Sequence, residues 1–330
     1  MRPPRAPLVT ALLVVLLAVG AGCSASDVDS PPVGGTPGGG GSGGGTPGGG
    51  GPGGGDAEWQ TPAPIDDSFA DAGEARVAVD PASGDAVAVW LQPDGADVRV
   101  WASRLDRSTG AWSAPETIDD LGTGDSIAPQ IAADGQGNFF AVWVREGTVW
   151  VARRTAAGGW QAPHPLDAGP GSGKSPAVAA NDSGVAVVAW IEPLGADDSV
   201  WVSRFDPTDE TWSLPDHAAA GSAAGSPAED ASSPSVALVD DSGDIFVVWL
   251  QPDLGSGTLR RVWVNRLPGG ESDWDGPTPI DDAIGTASSP QVGTDRDGNA
   301  VVLWEQAGTV HAARYLANET PPGWTAPVPL

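Results

Sequence analysis

The stretch from Pro129 to Pro163, PQIAADGQGNFFAVWVREGTVWVARRTAAGGWQAP, is the unit that the rest of the chain repeats. It contains four short runs rich in β-branched and aromatic residues, separated by Gly, Pro, Asp and Asn, which is typical of strands joined by tight turns. We expect strands at 129–133, 139–144 and 148–153, and a fourth strand that begins at 160. Between the first two strands, Asp134 and Gly137 predict a hairpin turn, because Gly accepts a positive φ and Asp bonds nearby backbone amides.

All 15 tryptophans of the chain occupy three recurring positions of this unit. One position lies on the second strand, one lies on the third strand, and one opens the fourth strand as Trp-x-x-Pro. The second-strand copies are Trp90, Trp143, Trp190, Trp249 and Trp304, the third-strand copies are Trp101, Trp150, Trp201 and Trp263, and the fourth-strand copies are Trp59, Trp112, Trp160, Trp212, Trp274 and Trp324. A buried indole removes about 150 to 250 Å² from water, so this strict repetition predicts a core role rather than a sugar-binding platform.

The spacing of the repeat predicts the architecture. Successive Trp-x-x-Pro starts lie 48 to 62 residues apart, and five full units follow one extra copy of the fourth strand at Trp59. Repeats of this length with four strands each predict an all-β protein, a β-propeller of four-stranded antiparallel blades in which ring closure hides the sheet edges. We expect five blades with an additional N-terminal strand, or an incomplete ring of six.

The first 23 residues have the features of an export signal. Arg2 and Arg5 precede an apolar run, residues 8–19, that is too short to span a bilayer. The run ends in Val-Gly-Ala-Gly-Cys23, which contains the only cysteine of the chain. This ending resembles a bacterial lipobox, and the resemblance implies a signal peptide at 1–23 and a lipid on Cys23. An ordinary signal peptide that happens to contain a cysteine is the alternative.

Residues 24–55 consist almost entirely of Gly, Pro, Ser and Thr. Such a composition cannot bury enough apolar surface to fold, so we expect a flexible tether with a reach of roughly 30 Å. The globular domain is then 56–330. Together, the lipid anchor and the tether predict an extracytoplasmic protein of the bacterial envelope, attached by Cys23 to the outer membrane or the cell surface.

The chain is strongly acidic. It has 43 Asp and Glu against 16 Lys and Arg, a formal net charge of −27 at pH 7. A surface of this sign repels phosphate groups, because nucleic-acid binding needs clustered Lys and Arg. Nucleic acid is therefore not an expected partner.

Acidic residues recur in two classes of loop. One class follows the fourth strand, and the other joins the second strand to the third. In a propeller both classes emerge on the same side, so we expect an acidic face there. Its candidate ligand-binding residues are Asp66, Asp67, Asp119, Asp120, Asp167, Asp281 and Asp282 after the fourth strand, and Asp94, Asp197 and Asp253 between the second and third strands. Converging carboxylates suit Ca²⁺ or a cationic ligand, and a solvated surface without a ligand is the alternative.

The repeated pattern of Trp-x-x-Pro, Asp-x-x-Gly, Val-Trp and Val-Trp-x-x-Arg resembles a repeat of bacterial surface lipoproteins of undefined function. It extends from Trp59 to the end of the chain. The turns that follow Ser103-Arg-Leu-Asp106 and Ser203-Arg-Phe-Asp206 are distantly similar to the sialidase Asp-box. These resemblances imply a propeller and leave the chemistry open.

An enzyme of this fold needs a catalytic constellation. Five-bladed glycosidases, which the architecture resembles, carry acid and base carboxylates where the innermost strands begin. Here those starts are not acidic, although Asp71 and Glu74 lie just before the first of them. We therefore name no catalytic residue and expect a non-catalytic binding or scaffold lipoprotein for a glycan or a protein, with no cofactor except possible Ca²⁺. A glycan-active hydrolase or lyase of the sialidase-like or five-bladed glycosidase type is the alternative, and a structural envelope component is a third interpretation.

Overall fold

A computed structural model describes residues 63–66, 71–167, 172–219, 230–252 and 259–330. Within these ranges there are 23 strands, which form five antiparallel sheets, and no helix. The predicted all-β propeller with five four-stranded antiparallel blades is thereby confirmed. No helix long and apolar enough to cross a membrane occurs in the same ranges. Cys23, Trp59 and the tether lie outside the described residues.

Each sheet is one copy of the sequence unit. Sheet one contains β1 (Gly73–Val79), β2 (Ala86–Asp94), β3 (Asp97–Asp106), β4 (Ala111–Trp112) and β5 (Glu116–Thr117). Sheet two contains β6 (Ser126–Ala133), β7 (Phe139–Arg145), β8 (Thr148–Arg154) and β9 (His164–Pro165). Sheet three contains β10 (Lys174–Ala180), β11 (Ala186–Leu194), β12 (Asp197–Asp206), β13 (Thr211–Trp212) and β14 (Asp216–His217).

Sheet four contains β15 (Ser232–Leu238), β16 (Ile245–Pro252), β17 (Arg260–Leu267) and β18 (Thr278–Pro279). Sheet five contains β19 (Ala287–Thr294), β20 (Ala300–Gln306), β21 (Thr309–Leu316), β22 (Gly323–Trp324) and β23 (Val328–Pro329). In every sheet the strands pair in chain order. In sheets one, three and five the outermost strand is in two pieces, and the proline of Trp-x-x-Pro, which has no N–H to donate to the ladder, lies between them.

A bulge interrupts the first strand of every sheet. The register shifts there, and the first unpaired residue within the break has a positive φ of 51° to 53° although it is not glycine. These residues are Glu74, Ala128, Ser175, Ser233 and Ser289. A bulge redirects the strand and its amides, and in sheet two the N–H of Ala128 donates to Glu74 Oε2 of sheet one at 3.1 Å.

The tryptophans contribute to the core to different degrees. The five second-strand indoles are all buried, and Trp143, Trp190 and Trp249 have no exposed surface. The fourth-strand indoles lie nearer to solvent, and Trp112 is 37% exposed. The second strand pairs on both sides within its sheet, and four of its indoles also pack in a cluster with the preceding sheet, namely Trp143, Trp190, Trp249 and Trp304.

Hydrophobic clusters join consecutive sheets. They connect sheet one to two, two to three, three to four and four to five. We call the side of a sheet that faces the next sheet along the chain its forward face. In all five sheets, an equivalent backbone hydrogen bond joins two residues of the forward face. It runs from Ile118 N–H to the carbonyl oxygen of Val100 in sheet one, and from Leu330 N–H to the carbonyl oxygen of Val310 in sheet five.

The forward face of sheet five is open. Val310 and Leu330 are 42% and 74% exposed, whereas Val100 and Ile118 are 0% and 4% exposed. On the opposite side of the gap, Val77 of sheet one is 56% exposed.

We expected the ring to close, but in the structure the fifth junction is not closed. No hydrophobic cluster joins sheets five and one within the described ranges. Glu305 supplies a physical reason. It occupies the forward-face position that Leu91, Val144, Ile191 and Leu250 fill in the other sheets, and a tight junction would bury its carboxylate.

Candidate functional site

The two predicted classes of acidic loop meet at one end of the sheets. Val98, at the start of β3, donates its N–H to Asp125 in the connection to sheet two at 2.8 Å. From that connection, Gly124 donates its N–H to Asp97 at 3.0 Å. We call this end of the sheets the loop face. It contains the second-to-third-strand hairpins and the connections between sheets.

Beneath the loop face, each second-strand tryptophan is followed two residues later by a polar residue that we call the inner residue. The five inner residues are Gln92, Arg145, Glu192, Gln251 and Gln306. In four sheets the inner side chain accepts a hydrogen bond from the indole Nε1, at 2.7 to 3.0 Å. In sheet two Arg145 cannot accept, and Trp143 Nε1 has no hydrogen-bond partner among the described residues.

In sheets two and five the inner residue also reaches the acid in the connection that precedes its sheet. Arg145 Nη1 donates to Asp119 Oδ1 at 2.6 Å, and both side chains are almost fully buried. Ser126 donates its hydroxyl to the other oxygen of Asp119. From sheet one, Arg99 donates to the backbone carbonyl of Asp119 at 2.8 Å. Asp119 is therefore satisfied inside the protein by two arginines and a serine.

Asp281 repeats this arrangement between sheets four and five. Arg261 of sheet four donates to Oδ1 at 2.9 Å, and the inner residue Gln306 of sheet five donates to Oδ2 at 3.0 Å. Asp281 is 6% exposed. The expected surface placement of Asp119 and Asp281 therefore differs from the structure, because internal donors hold both carboxylates below the loop face.

Asp167, between sheets two and three, has the same place in the repeat and different partners. The residue paired with the inner residue across the hairpin is Arg99 in sheet one and Arg261 in sheet four, but Thr148 in sheet two. The inner residue of sheet three is Glu192. Both donors that hold the equivalent acids are thus replaced, and one replacement is a second carboxylate.

The immediate surroundings of Asp167 leave one oxygen without a partner. Oδ2 accepts the N–H of Val149 at 3.0 Å, and Oδ1 has no hydrogen-bond partner in the described part of the chain. Asp167 is 7% exposed. Burial raises the pKa of its carboxyl to about 6, the Val149 N–H opposes that rise, and the carboxylate of Glu192 adds to it.

The chain passes very close to this carboxylate at Gly173. A Cβ at that position would lie 3.1 Å from Asp167 Oδ2 and 3.0 Å from the carbonyl oxygen of Gly147. Lys174 follows and pairs with Asp198 at 2.5 Å. A side chain at position 173 would therefore press on the carboxylate, and the adjacent lysine is engaged elsewhere.

The other predicted acids are closer to solvent. Asp120 and Asp282 are exposed, Asp66 and Asp197 are partly exposed, and Asp94 pairs with Arg99 at 3.2 Å. Asp67 and Asp253 lie outside the described residues. The prediction that these acids bind a ligand stays a prediction. No group of three or more His, Cys, Asp or Glu side chains in the described ranges is arranged to hold a metal ion.

The turns that are similar to the sialidase Asp-box have a structural role. Asp106 Oδ1 accepts the N–H of Ser108 at 2.8 Å, and Asp206 Oδ1 accepts that of Thr208 at 2.8 Å. Next to each turn, Ser103 Oγ donates to the backbone of Ser113, and its equivalent in sheet three does the same. These bonds fix the hairpin between the third and fourth strands, far from the loop face.

Comparisons with known proteins support no assignment beyond the fold. No protein-family model matches the chain, and no curated protein sequence matches it. Among solved structures, the Hadza microbial sialidase Hz136 is 15% identical with a TM-score of 0.44, over 72% of this chain and 50% of that chain. This chain thus spans half the length of that sialidase.

Two further structures are glycosidases. The Penicillium chrysogenum α-L-arabinanase is 12% identical with a TM-score of 0.48, over 77% of this chain and 80% of that chain. An α-L-arabinofuranosidase from Fusarium graminearum is also 12% identical with a TM-score of 0.48, over 76% of this chain and 79% of that chain. At this identity they are similar to this chain in fold alone. The class defined by the coordinates is an all-β protein of five four-stranded propeller blades.

Proposed function

We propose that the protein is a lipid-anchored extracytoplasmic propeller whose loop face binds a glycan or a protein of the envelope or its surroundings, without catalysis. The signal-like leader, Cys23 and the Gly-rich tether support the anchoring. Ca²⁺ as a cofactor of the loop face is part of this proposal.

The observation that supports binding most directly is the unequal height of the hairpins on the loop face. Six residues separate the paired Gln92 and Arg99 in sheet one, and six separate Glu192 and Ser199 in sheet three. In sheet two, which lies between sheets one and three, only two residues separate Arg145 and Thr148. A low hairpin between two tall ones forms a recess, and loops that vary on a repeated scaffold are the common location of ligand recognition.

Binding is tested with the full-length protein in detergent on a glycan array and against isolated envelope proteins, with and without Ca²⁺. In the key variant, the tall hairpin of sheet three, 193–198, is replaced by Ala-Gly, the turn that sheet five uses at 307–308. We expect binding to fall by at least ~10-fold with far-UV circular dichroism unchanged. Asp297→Asn, in an exposed turn at the other end of the sheets, is the control and keeps binding. Equal binding by all three proteins would exclude the loop face.

Anchoring is tested separately with Cys23→Ser. A thioether-linked lipid requires the sulfur, so we expect the variant to lose incorporation of labelled fatty acid and to leave the membrane fraction. Unchanged labelling would contradict the assignment of Cys23.

A glycan-active hydrolase is the second candidate, and one observation favours it. Asp167 and Glu192 are two neighbouring carboxyl groups in unequal surroundings, and the pKa of the more buried Asp167 is raised to about 6. Unequal carboxyl groups are what glycosidases use as acid and base. Release of reducing sugar from plant or bacterial polysaccharides, lost in both Asp167→Asn and Glu192→Gln, would support the hydrolase and contradict the non-catalytic function.

A further inference from the structure

We infer that the carboxylates of Asp167 and Glu192 together bind one positively charged group, either a hard cation such as Ca²⁺ or the ammonium group of a ligand. This inference deepens the proposed function. It rests on that function only in taking the loop face as the ligand-binding side. The inference concerns a single junction, between sheets two and three.

The first argument is the comparison of three equivalent acids within one chain. Asp119 is accompanied by Arg99 and Arg145, and Asp281 by Arg261 and Gln306. The same two positions around Asp167 hold Thr148 and Glu192. Elsewhere the repeat places each of these carboxylates against one arginine side chain, whereas this junction has two carboxylates and no cation from those positions.

The second argument is the unsatisfied oxygen of Asp167. Its Oδ1 is buried and has no partner among the residues that the structure describes, although its counterparts at Asp119 and Asp281 are all hydrogen-bonded. Buried carboxylate oxygens are nearly always paired in native proteins. A cation at this oxygen completes the set of contacts that the repeat provides elsewhere.

The third argument is that Glu192 is held in place and reachable. Its Oε2 accepts the indole N–H of Trp190 at 3.0 Å, and its backbone carbonyl accepts that of Trp201 at 3.2 Å. The residue is partly exposed, so it is accessible from solvent. Lys174 does not neutralise the two carboxylates, because its ammonium group pairs with Asp198.

The two possible sources of charge share one requirement, oxygen donors of net negative charge. Ca²⁺ prefers carboxylate and carbonyl oxygens and completes its coordination with water. A primary ammonium group has three donors and fits between two carboxylates. The probes in the experiment separate these sources.

The repeat itself provides the decisive variant. Glu192→Gln introduces the residue that three other sheets have at this position. A glutamine can accept from Trp190 and donate to Asp167, as Gln306 does with Trp304 and Asp281. It removes the second carboxylate and satisfies the first, so the protein should fold and lose its need for a cation.

Full-length protein in detergent is depleted of divalent ions and melted alone, with CaCl₂, and with methylammonium chloride at matched ionic strength. We expect one probe to raise the wild-type melting temperature. Glu192→Gln should melt at or above the temperature of the depleted wild type, and bind that probe at least ~10-fold more weakly. Glu305→Gln removes an exposed carboxylate from sheet five and should keep the wild-type response.

A response to CaCl₂ alone identifies a metal site, and a response to methylammonium identifies an ammonium site. The inference is overturned if neither probe shifts the wild type, or if Glu192→Gln responds as strongly as the wild type. In that event, retained binding on the glycan or envelope-protein assay leaves the proposed function standing. Binding by the variant with the shortened hairpin of sheet three tests the proposed function, and its result does not depend on whether a cation binds.

Discussion

At the scale of single residues, the inner position shows how one substitution changes a repeated network. Gln92, Gln251 and Gln306 accept from an indole, and an amide can at the same time donate to a neighbouring acid. Arg145 pairs with Asp119 and makes no hydrogen bond to the indole of Trp143. Glu192 accepts a hydrogen bond from the indole of Trp190 and, as a carboxylate, cannot donate one to Asp167. The hydrogen-bonding capacity of one side chain therefore decides which partners the acid and the indole have at each junction.

The first prediction concerns Arg145. Arg145→Ala leaves Asp119 buried without its main cation, and we expect a loss of about 3–5 kcal/mol in the free energy of unfolding. Arg145→Gln should cost clearly less, because glutamine can donate to Asp119 as Gln306 does to Asp281, and can accept from Trp143. Urea unfolding measures both variants. Equal losses would show that the charge, rather than the hydrogen bonds, stabilises this junction.

The second prediction concerns the pH dependence of stability. Burial lowers the pKa of His217, Asp216 beside it opposes this, and its Nε2 contacts the hydroxyl of Ser199. Because the pKa is lower in the folded than in the unfolded protein, His217 stabilises the fold above the unfolded value of about 6.5. That contribution is lost as the pH falls below this value. The difference in melting temperature between wild type and His217→Gln should therefore shrink from pH 8 to pH 5, and a constant difference would contradict the prediction.

At the scale of elements, the bulge in each first strand is a constant of the unit. It places a non-glycine residue at φ 51° to 53° in all five sheets, next to a proline in four of them. The left-handed region costs an ordinary residue roughly 1–2 kcal/mol, so the sheets retain this conformation because their pairing determines it. The sequence has Pro-x-Val/Ile at four of these sites and contained no direct indication of the positive φ.

The third prediction compares two neighbouring serines of β19. Ser289 is exposed and has a φ of 52°. Ser289→Gly should leave stability unchanged or raise it by up to ~1 kcal/mol, because glycine adopts this conformation without strain. Ser288→Gly, one residue earlier in the same strand, should cost about 0.5–1 kcal/mol. Chemical unfolding of both variants is the measurement, and a larger loss for Ser289→Gly would mean that its side chain has a role beyond the bulge.

At the scale of the whole set of blades, four junctions are closed by hydrophobic clusters and the fifth is open within the described residues. The same valine position is fully buried in sheets one to four and 42% exposed in sheet five. Mutual burial of the sheets is thus the main source of cohesion, and it is unevenly distributed along the chain.

The fourth prediction follows from that difference. Val310→Lys places a charge on the open face and should change the free energy of unfolding by less than about 1 kcal/mol. Val100→Lys places the same charge in the closed junction between sheets one and two, and should unfold the protein or cost more than about 4 kcal/mol. Expression, far-UV circular dichroism and urea melts compare the two. A severe loss from Val310→Lys would show that the fifth junction closes in solution.

The sequence alone determined the strands, the four-stranded repeat and the second-strand tryptophans, because these depend on local periodicity and turn residues such as Asp134 and Gly137. It also predicted that the acidic loops meet on one face. Only the tertiary structure decided which acids lie inside. The partners of Asp119, Asp167 and Asp281 come from two adjacent sheets, so their state depends on pairing between strands that are distant in the chain. The sequence contained the relevant substitution, Glu192 for glutamine, but its meaning required the tertiary arrangement, in which Glu192 has the place relative to Asp167 that Gln306 has relative to Asp281.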